Sequence, residues 1–221
     1  MSLHAVGGLC NRLRALLGWY AVNRGAGTLH VVWQPNEYVS GARFLDVFEP
    51  IPGVEFSDAG RWSVEAWGPP SYAPEGWEDG FRLLRPVPSI MSRVVDYDKA
   101  IHVRRTDHLP DTATHGGDVE LLSDWVRWAW QWPDETCYIA TDNGETQAEL
   151  LKAIPRSLVG APLGGAEQQG LTDHRRNGTL GDAVVDLWTC SRAGRFLGTR
   201  HSTVTTTIET LRRLRREGAV P

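Results

Sequence analysis

The chain has 221 residues, 41% hydrophobic and 23% charged, an ordinary globular composition long enough for one large or two small domains with cores that need no covalent staples. A net charge of −4 excludes an extended nucleic-acid footprint, and three widely spaced cysteines exclude a disulfide framework and a zinc-ligand pattern. No apolar run reaches the ~20 residues of a membrane helix, and Gly7, Gly8, Asn11 and Arg12 interrupt the stretch where a signal peptide needs its apolar segment, so a cytoplasmic protein with reduced thiols is expected.

In chain order, the apolar run Leu3–Val6 reads as a strand closed by Gly7-Gly8. Leu13, Leu16, Leu17, Tyr20 and Ala21 then recur at helical spacing, and Thr28–Trp33, rich in β-branched residues, reads as a second strand. Strand, glycine turn, helix, strand is the grammar of a βαβ unit and a parallel sheet. Gly41–Phe48 reads as a short helix and Val54–Phe56 as a third strand. From Trp62 to Pro88 no period holds; this segment reads as irregular, covering a cleft before a crossover to the second half. Its tryptophans, among ten in the chain, are candidates to stack on a sugar.

The second half alternates more clearly. Strands are expected at Lys99–Val103, Thr136–Thr141, Ser157–Val159 and Gly194–Leu197. Helices are expected at Leu121–Trp130, capped near Asp118, and at Glu145–Ile154, Thr179–Ser191 and Ser202–Arg216, with a glycine-rich loop at Gly160–Gly170. Arg212, Arg213, Arg215 and Arg216 read as a solvated helix end. The expected fold is α/β, with two small Rossmann-like parallel-sheet halves (1–97 and 98–221) and a cleft between them.

Ligands of open parallel sheets bind at the carboxyl ends of strands. Four polar clusters fall there: Gly7-Gly8, Arg104-Arg105-Thr106-Asp107, Asp142-Asn143 and Thr199–Thr203. Arginine suits a diphosphate because its planar fork makes paired hydrogen bonds to oxygen. Glycines at a strand-to-helix turn let an anion approach the helix N-terminus; the alternative is a tight turn with Asn11 as cap. Asp186 interrupts an apolar helix stretch and needs a partner, a ligand hydroxyl or a basic side chain. Ser202 and Thr203 open the last helix, where their hydroxyls either bind phosphate oxygens or cap the helix.

His102-Val-Arg-Arg-Thr-Asp107 resembles the first motif of the α1,6/α1,2/O-fucosyltransferase superfamily, in the form carried by core α1,6-fucosyltransferases and rhizobial nodulation fucosyltransferases. Tyr138-Ile-Ala-Thr-Asp142 resembles the family's second strand end, Gly181–Ser191 its aspartate-bearing helix, Phe196–Thr203 its final serine-bearing turn, and Gly7–Arg12 its N-terminal glycine–asparagine segment. The resemblance implies a GT-B-like fold and an inverting transfer of fucose from GDP-fucose to a hydroxyl of a glycan or other acceptor, with no metal or other cofactor. It places Arg104 on the donor β-phosphate, Asp142 and Asp186 on the nucleoside or sugar, and Ser202 or Thr203 on the phosphates. Gly7, Gly8, Asn11, His102, Arg105 and Asp107 complete the donor-binding set. The family has a lysine where this chain has His108, and a glutamate base near a stretch that here reads Leu-Pro-Asp-Thr, leaving Asp111 or His108 as the acceptor's base.

Three other readings compete. Asp96-Tyr97-Asp98 spells a D-x-D motif of metal-dependent transferases, although it precedes a strand instead of following one. The same scaffold also serves another nucleotide sugar, or a non-catalytic nucleotide-binding protein.

Overall fold

The computed structural model describes residues 1–105, 121–163 and 178–220. Thr106, Asp107, His108, Asp111, the cap near Asp118 and most of the Gly160–Gly170 loop lie outside the described residues. The chain divides into two compact units, Met1–Ser92 with Thr179–Val184 and Thr210–Pro221, and Arg93–Gly178 with Val185–Glu209.

The first unit is built on β1 (Ser2–Ala5), α1 (Leu9–Asn23), β2 (Leu29–Val32), β3 (Val54–Ser57) and β4 (Val64–Ala66), whose strands form a four-stranded parallel sheet in the order β3-β2-β1-β4. Leu3, Ala5 and Val31 of the sheet and Leu13, Leu16 and Leu17 of α1 are fully buried, the helical spacing having placed the three leucines on one face. Phe44, in a 3₁₀ turn (Phe44–Asp46) inside the expected Gly41–Phe48 helix, stacks on Phe56 at 4.0 Å and meets Trp33 edge-on at 5.4 Å.

Two expectations change in this unit. The segment from Trp62 to Pro88 holds β4, which pairs Leu3 with Val64 and Ala5 with Ala66, then a 3₁₀ helix (Trp77–Leu83) and a single helical turn, α2 (Pro88–Met91). A three-residue strand is too short to display alternation, and 3₁₀ geometry breaks the α-helical period. Arg213 is also more than a solvated helix end. It donates to Asp79 Oδ1 at 3.0 Å and to Glu217 Oε1 at 3.1 Å, while Arg82 reaches the other oxygen of each acid, both at 3.2 Å. Four charges thus close a ring that ties the 3₁₀ helix to the C-terminal segment.

The second unit carries β5 (Lys99–Val103), α3 (Leu122–Ala129), β6 (Cys137–Thr141), α4 (Gly144–Ala153), β7 (Ser157–Leu158), α5 (Leu180–Arg192) from Val185 onward, β8 (Arg195–Gly198) and the start of α6 (Thr203–Arg216). Its sheet is again parallel, in the order β7-β6-β5-β8. Ile101, Val103, Cys137 and Ile139 line one face and pack on Trp125 and Ala129 of α3 and Leu150 of α4. Alternation turns Ala100, His102, Tyr138 and Ala140 to the opposite face. There Tyr138 bonds Asp186 of α5, and His102 Nδ1 lies 3.0 Å from Thr205 Oγ1 of α6. Helices therefore cover both faces, the doubly wound arrangement that alternating strands and helices predict. Gly198 lets α6 start this close, because a Cβ there would stand 2.5 Å from Thr205 Cγ2 and Oγ1.

Candidate functional site

Both sheets share one strand order, in which the first strand lies between the second and the fourth. Their topological switch points therefore fall between β1 and β4 in the first unit and between β5 and β8 in the second. In the second unit, Arg104 and Arg105 follow β5, Asp142 and Asn143 follow β6, and Thr199–Thr203 follow β8. Parallel strands deliver all three clusters to one edge.

The Arg104-Arg105 step is held on both sides. Its two amides donate outward, Arg104 N to Thr199 Oγ1 at 2.9 Å and Arg105 N to Asp142 Oδ1 at 3.0 Å. Thr199 is itself anchored, its amide donating to the His102 carbonyl at 2.9 Å and its hydroxyl to the same oxygen at 3.2 Å. The backbone that presents the two half-buried arginines is thus fixed by neighbours on β8 and β6. Asn143 caps α4 by accepting from Thr146 N at 2.8 Å.

Ser202, expected at the start of the last helix, sits in an unusual environment. Its carbonyl accepts from Thr206 N at 3.0 Å, which starts α6, and His201 before it has a left-handed φ of 58°. Its side chain is 2% exposed, and the hydroxyl has no hydrogen-bond partner. A serine at this position ordinarily accepts from an amide of the first turn; this one does not, so the capping alternative fails for its side chain. Buried hydroxyls are nearly always satisfied, and this one stands at a helix start beside the sheet's switch point, where backbone amides favour anions. The first turn of α6 carries no acidic residue to repel an anion.

Asp186 has found a tyrosine: its Oδ1 accepts from the Tyr138 hydroxyl at 2.5 Å. Burial first, and the adjacent Asp186 second, raise the Tyr138 pKa above its ordinary value. His102 is buried, its Nδ1 engaged by Thr205, so it helps seat α6 on β5.

Gly7, Gly8 and Asn11 stand at the end of β1 in the first unit. Gly7 has φ 83° and lies against the Trp67 indole, 2.7 Å from where a Cβ would sit. Gly8, not Asn11, is the N-cap of α1, and Asn11 falls inside the first turn. The fully buried Arg12 holds this edge, donating to Gly7 O at 2.8 Å, Gln34 O at 2.8 Å and Asn36 Oδ1 at 2.9 Å.

Pattern reading placed Thr199, Tyr138 and Arg12 within motifs and gave none of them a role of its own. A hydroxyl directly after a strand and an arginine directly after a glycine turn are weak signals. The Tyr138–Asp186 bond joins residues 48 apart and leaves no local trace.

Asp96 and Asp98 are each engaged by neighbouring protein groups. Arg192 grips Asp96 through Nε at 2.7 Å and Nη2 at 2.9 Å. Asp98 Oδ2 accepts from Thr136 N at 2.8 Å and Oγ1 at 2.7 Å, bonds that lower its pKa. Both acids precede β5, at the sheet edge opposite Arg104. Among the described residues no cluster of His, Cys, Asp or Glu has the makings of a metal site, and no helix is long and apolar enough to cross a membrane.

No protein-family model matches the sequence, and no curated protein matches it. Solved structures do. The NodZ α1,6-fucosyltransferase soaked with GDP-fucose superposes with a TM-score of 0.59 at 15% identity, covering 95% of this chain and 92% of that one. The fucosyltransferase NodZ from Bradyrhizobium gives 0.59 at 15% identity, with 94% and 92% covered. POFUT1 in complex with GDP-fucose gives 0.50 at 11% identity, with 96% and 93% covered. At these identities the likeness defines the fold: α/β, GT-B-like, with two Rossmann-like halves.

Proposed function

We propose that the chain is an inverting, metal-independent glycosyltransferase that moves fucose from GDP-fucose to a hydroxyl of a glycan or other acceptor. The carrying observation is the buried, partnerless Ser202 hydroxyl at the start of α6, on the same sheet edge as the clamped Arg104 step. That pairing suits a diphosphate: a donor hydroxyl at a helix N-terminus and a guanidinium fork. The similarity of fold to structures holding GDP-fucose or GDP supports the choice of donor.

In this reading residues 98–221 hold the nucleotide sugar and residues 1–97 form the acceptor side. Arg104 meets the β-phosphate, Ser202 and Thr203 the phosphate oxygens, and Asp186 and Asp142 the nucleoside or sugar. Arg105, Asp107, His102, Gly7, Gly8 and Asn11 shape the remainder of the donor pocket. The acceptor oxygen bonds to the anomeric carbon as the bond to the β-phosphate oxygen breaks, and GDP departs with that electron pair. Asp111 or His108 takes the acceptor's proton. Arg104 offsets the charge growing on the leaving diphosphate.

Preorganised donors of this kind are worth about 3–4 kcal/mol in the transition state. Arg104→Ala is therefore expected to lower the rate of fucose release from GDP-fucose, to water or acceptor, by about 100- to 1000-fold. A loss below tenfold removes Arg104 from the chemistry. Activity that disappears in EDTA and returns with Mn²⁺ removes metal independence.

A further inference from the structure

The far end of α1 borders a cavity that the transfer leaves unused. Gly80 of the 3₁₀ helix seats against this helix; a Cβ there would stand 3.3 Å from Leu17 Cβ. Between the last turns of α1 and the segment around Trp77 lies a cavity of about 480 Å³, within the roughly 300–1,000 Å³ of small-ligand sites. Leu17, Tyr20, Ala21 and Arg24 line it from α1, at the spacing of one helical face. Glu75, Trp77, Asp79 and Arg82 line it from the other side, and all of these residues belong to the first unit. Gly8 caps α1 at the carboxyl end of β1, whereas Tyr20 lies about 18 Å further along the helix axis. The cavity is therefore separate from the Gly7-Gly8 turn.

The lining indicates what fits. Two arginines and two carboxylates leave the walls without net charge. An anion meets Glu75 and Asp79, a cation meets Arg24 and Arg82, and an apolar ligand strips water from all four without returning a hydrogen bond. A neutral molecule rich in hydroxyls avoids each of these costs, because every hydroxyl both donates and accepts. Asp79 and Arg82 are held in the ring with Arg213 and Glu217, which fixes one rim. The exposed side chains of Arg24 and Glu75 enter no hydrogen bond or ion pair among the described residues, so the other rim is open to a ligand. Tyr20 and Trp77, half-buried, add the amphipathic rings on which the C–H face of a pyranose stacks. Phe81, 6.4 Å from the Trp77 ring, and the Arg14 guanidinium, 6.0 Å from it, steady the indole.

We propose that this cavity is a second saccharide-binding site, which takes a neutral sugar unit of a glycan apart from the place of transfer. Tyr20 and Trp77 supply the stacking surfaces, and Arg24 and Glu75 bind the hydroxyls. Such a site holds a glycan through a part that does not react, so it stands whichever nucleotide sugar is the donor.

Saturation-transfer NMR and calorimetric titration of the full chain with lactose, cellobiose and N,N′-diacetylchitobiose test it, with and without saturating GDP. At least one of these disaccharides is expected to bind, with the same affinity when GDP is present. Arg24→Gln and Glu75→Gln, at exposed positions that the fold tolerates, are each expected to weaken binding about tenfold. Tyr20→Ala is expected to weaken it about three- to tenfold. Ala21→Trp fills the cavity and should abolish binding while the melting temperature and GDP titration match wild type. Wild-type protein that binds none of the three disaccharides overturns the proposal. Binding that GDP displaces, or that Arg104→Ala abolishes, puts the sugar at the place of transfer and also overturns it, as does binding that survives in Ala21→Trp. Disaccharide binding lost in Ala21→Trp, by a chain that does not bind GDP, supports the cavity and overturns the donor reading instead.

Discussion

An unsatisfied buried hydroxyl such as that of Ser202 costs a fold about 1–3 kcal/mol. Ser202→Ala is therefore expected to hold or raise the melting temperature while weakening GDP by about tenfold, the loss of one hydrogen bond to a charged ligand. Thermal melts with and without GDP read both effects. A destabilised variant with unchanged affinity would make Ser202 structural. Gly198 makes the opposite kind of demand. A Cβ at 2.5 Å from Thr205 cannot be accommodated without moving α6, so Gly198→Ala should cost about 1–3 kcal/mol in urea unfolding. The sequence shows both residues in one polar turn after a strand. It does not show that one is packed and the other orphaned, because that depends on how closely α6 approaches β8.

At the scale of elements, the strand ends were readable because each strand was bounded by polar or glycine residues, and three of the four polar ends fall on one edge of the second sheet. The missed elements were short or irregular: β4 has three residues and the Trp77–Leu83 segment is 3₁₀. The Arg82–Asp79–Arg213–Glu217 ring was equally hidden, since its members lie up to 135 residues apart. Its side chains are 42–46% exposed, so solvent and salt screen them. Arg213→Ala is expected to cost less than about 1 kcal/mol, and the difference from wild type should shrink in high salt. Melting curves at low and high NaCl measure this. Asn143→Ala removes a formed cap and should cost about 1 kcal/mol regardless of salt.

For the whole molecule, the pH profile of stability follows from groups with shifted pKa values. Hydrogen bonds from Thr136 lower the Asp98 pKa, so its contribution is present above the ordinary carboxylate value of about 3.9 and is lost as pH falls from there through the lowered folded value. Burial pushes the Cys137 thiol up to about 11, so the unfolded chain ionises first, and stability declines from about pH 8.5 up to about 11. Urea midpoints across pH should show that alkaline limb flattened in Cys137→Ala. The three cysteines are all buried thiols outside any disulfide, so a thiol reagent should label them only on unfolding. The doubly wound class was legible because alternating strand and helix periods admit few arrangements. The shared strand order was not legible, since pairing order depends on contacts between distant segments.

The central claim is a GDP-binding edge that needs no metal. Calorimetric titration of GDP into the purified protein in EDTA, with UDP and dTDP in parallel and Arg104→Ala as control, tests it most directly. The account predicts binding that favours GDP and is lost in Arg104→Ala. Tighter binding of UDP or dTDP would contradict the fucosyl donor, and binding that appears only when metal is added would contradict the site itself.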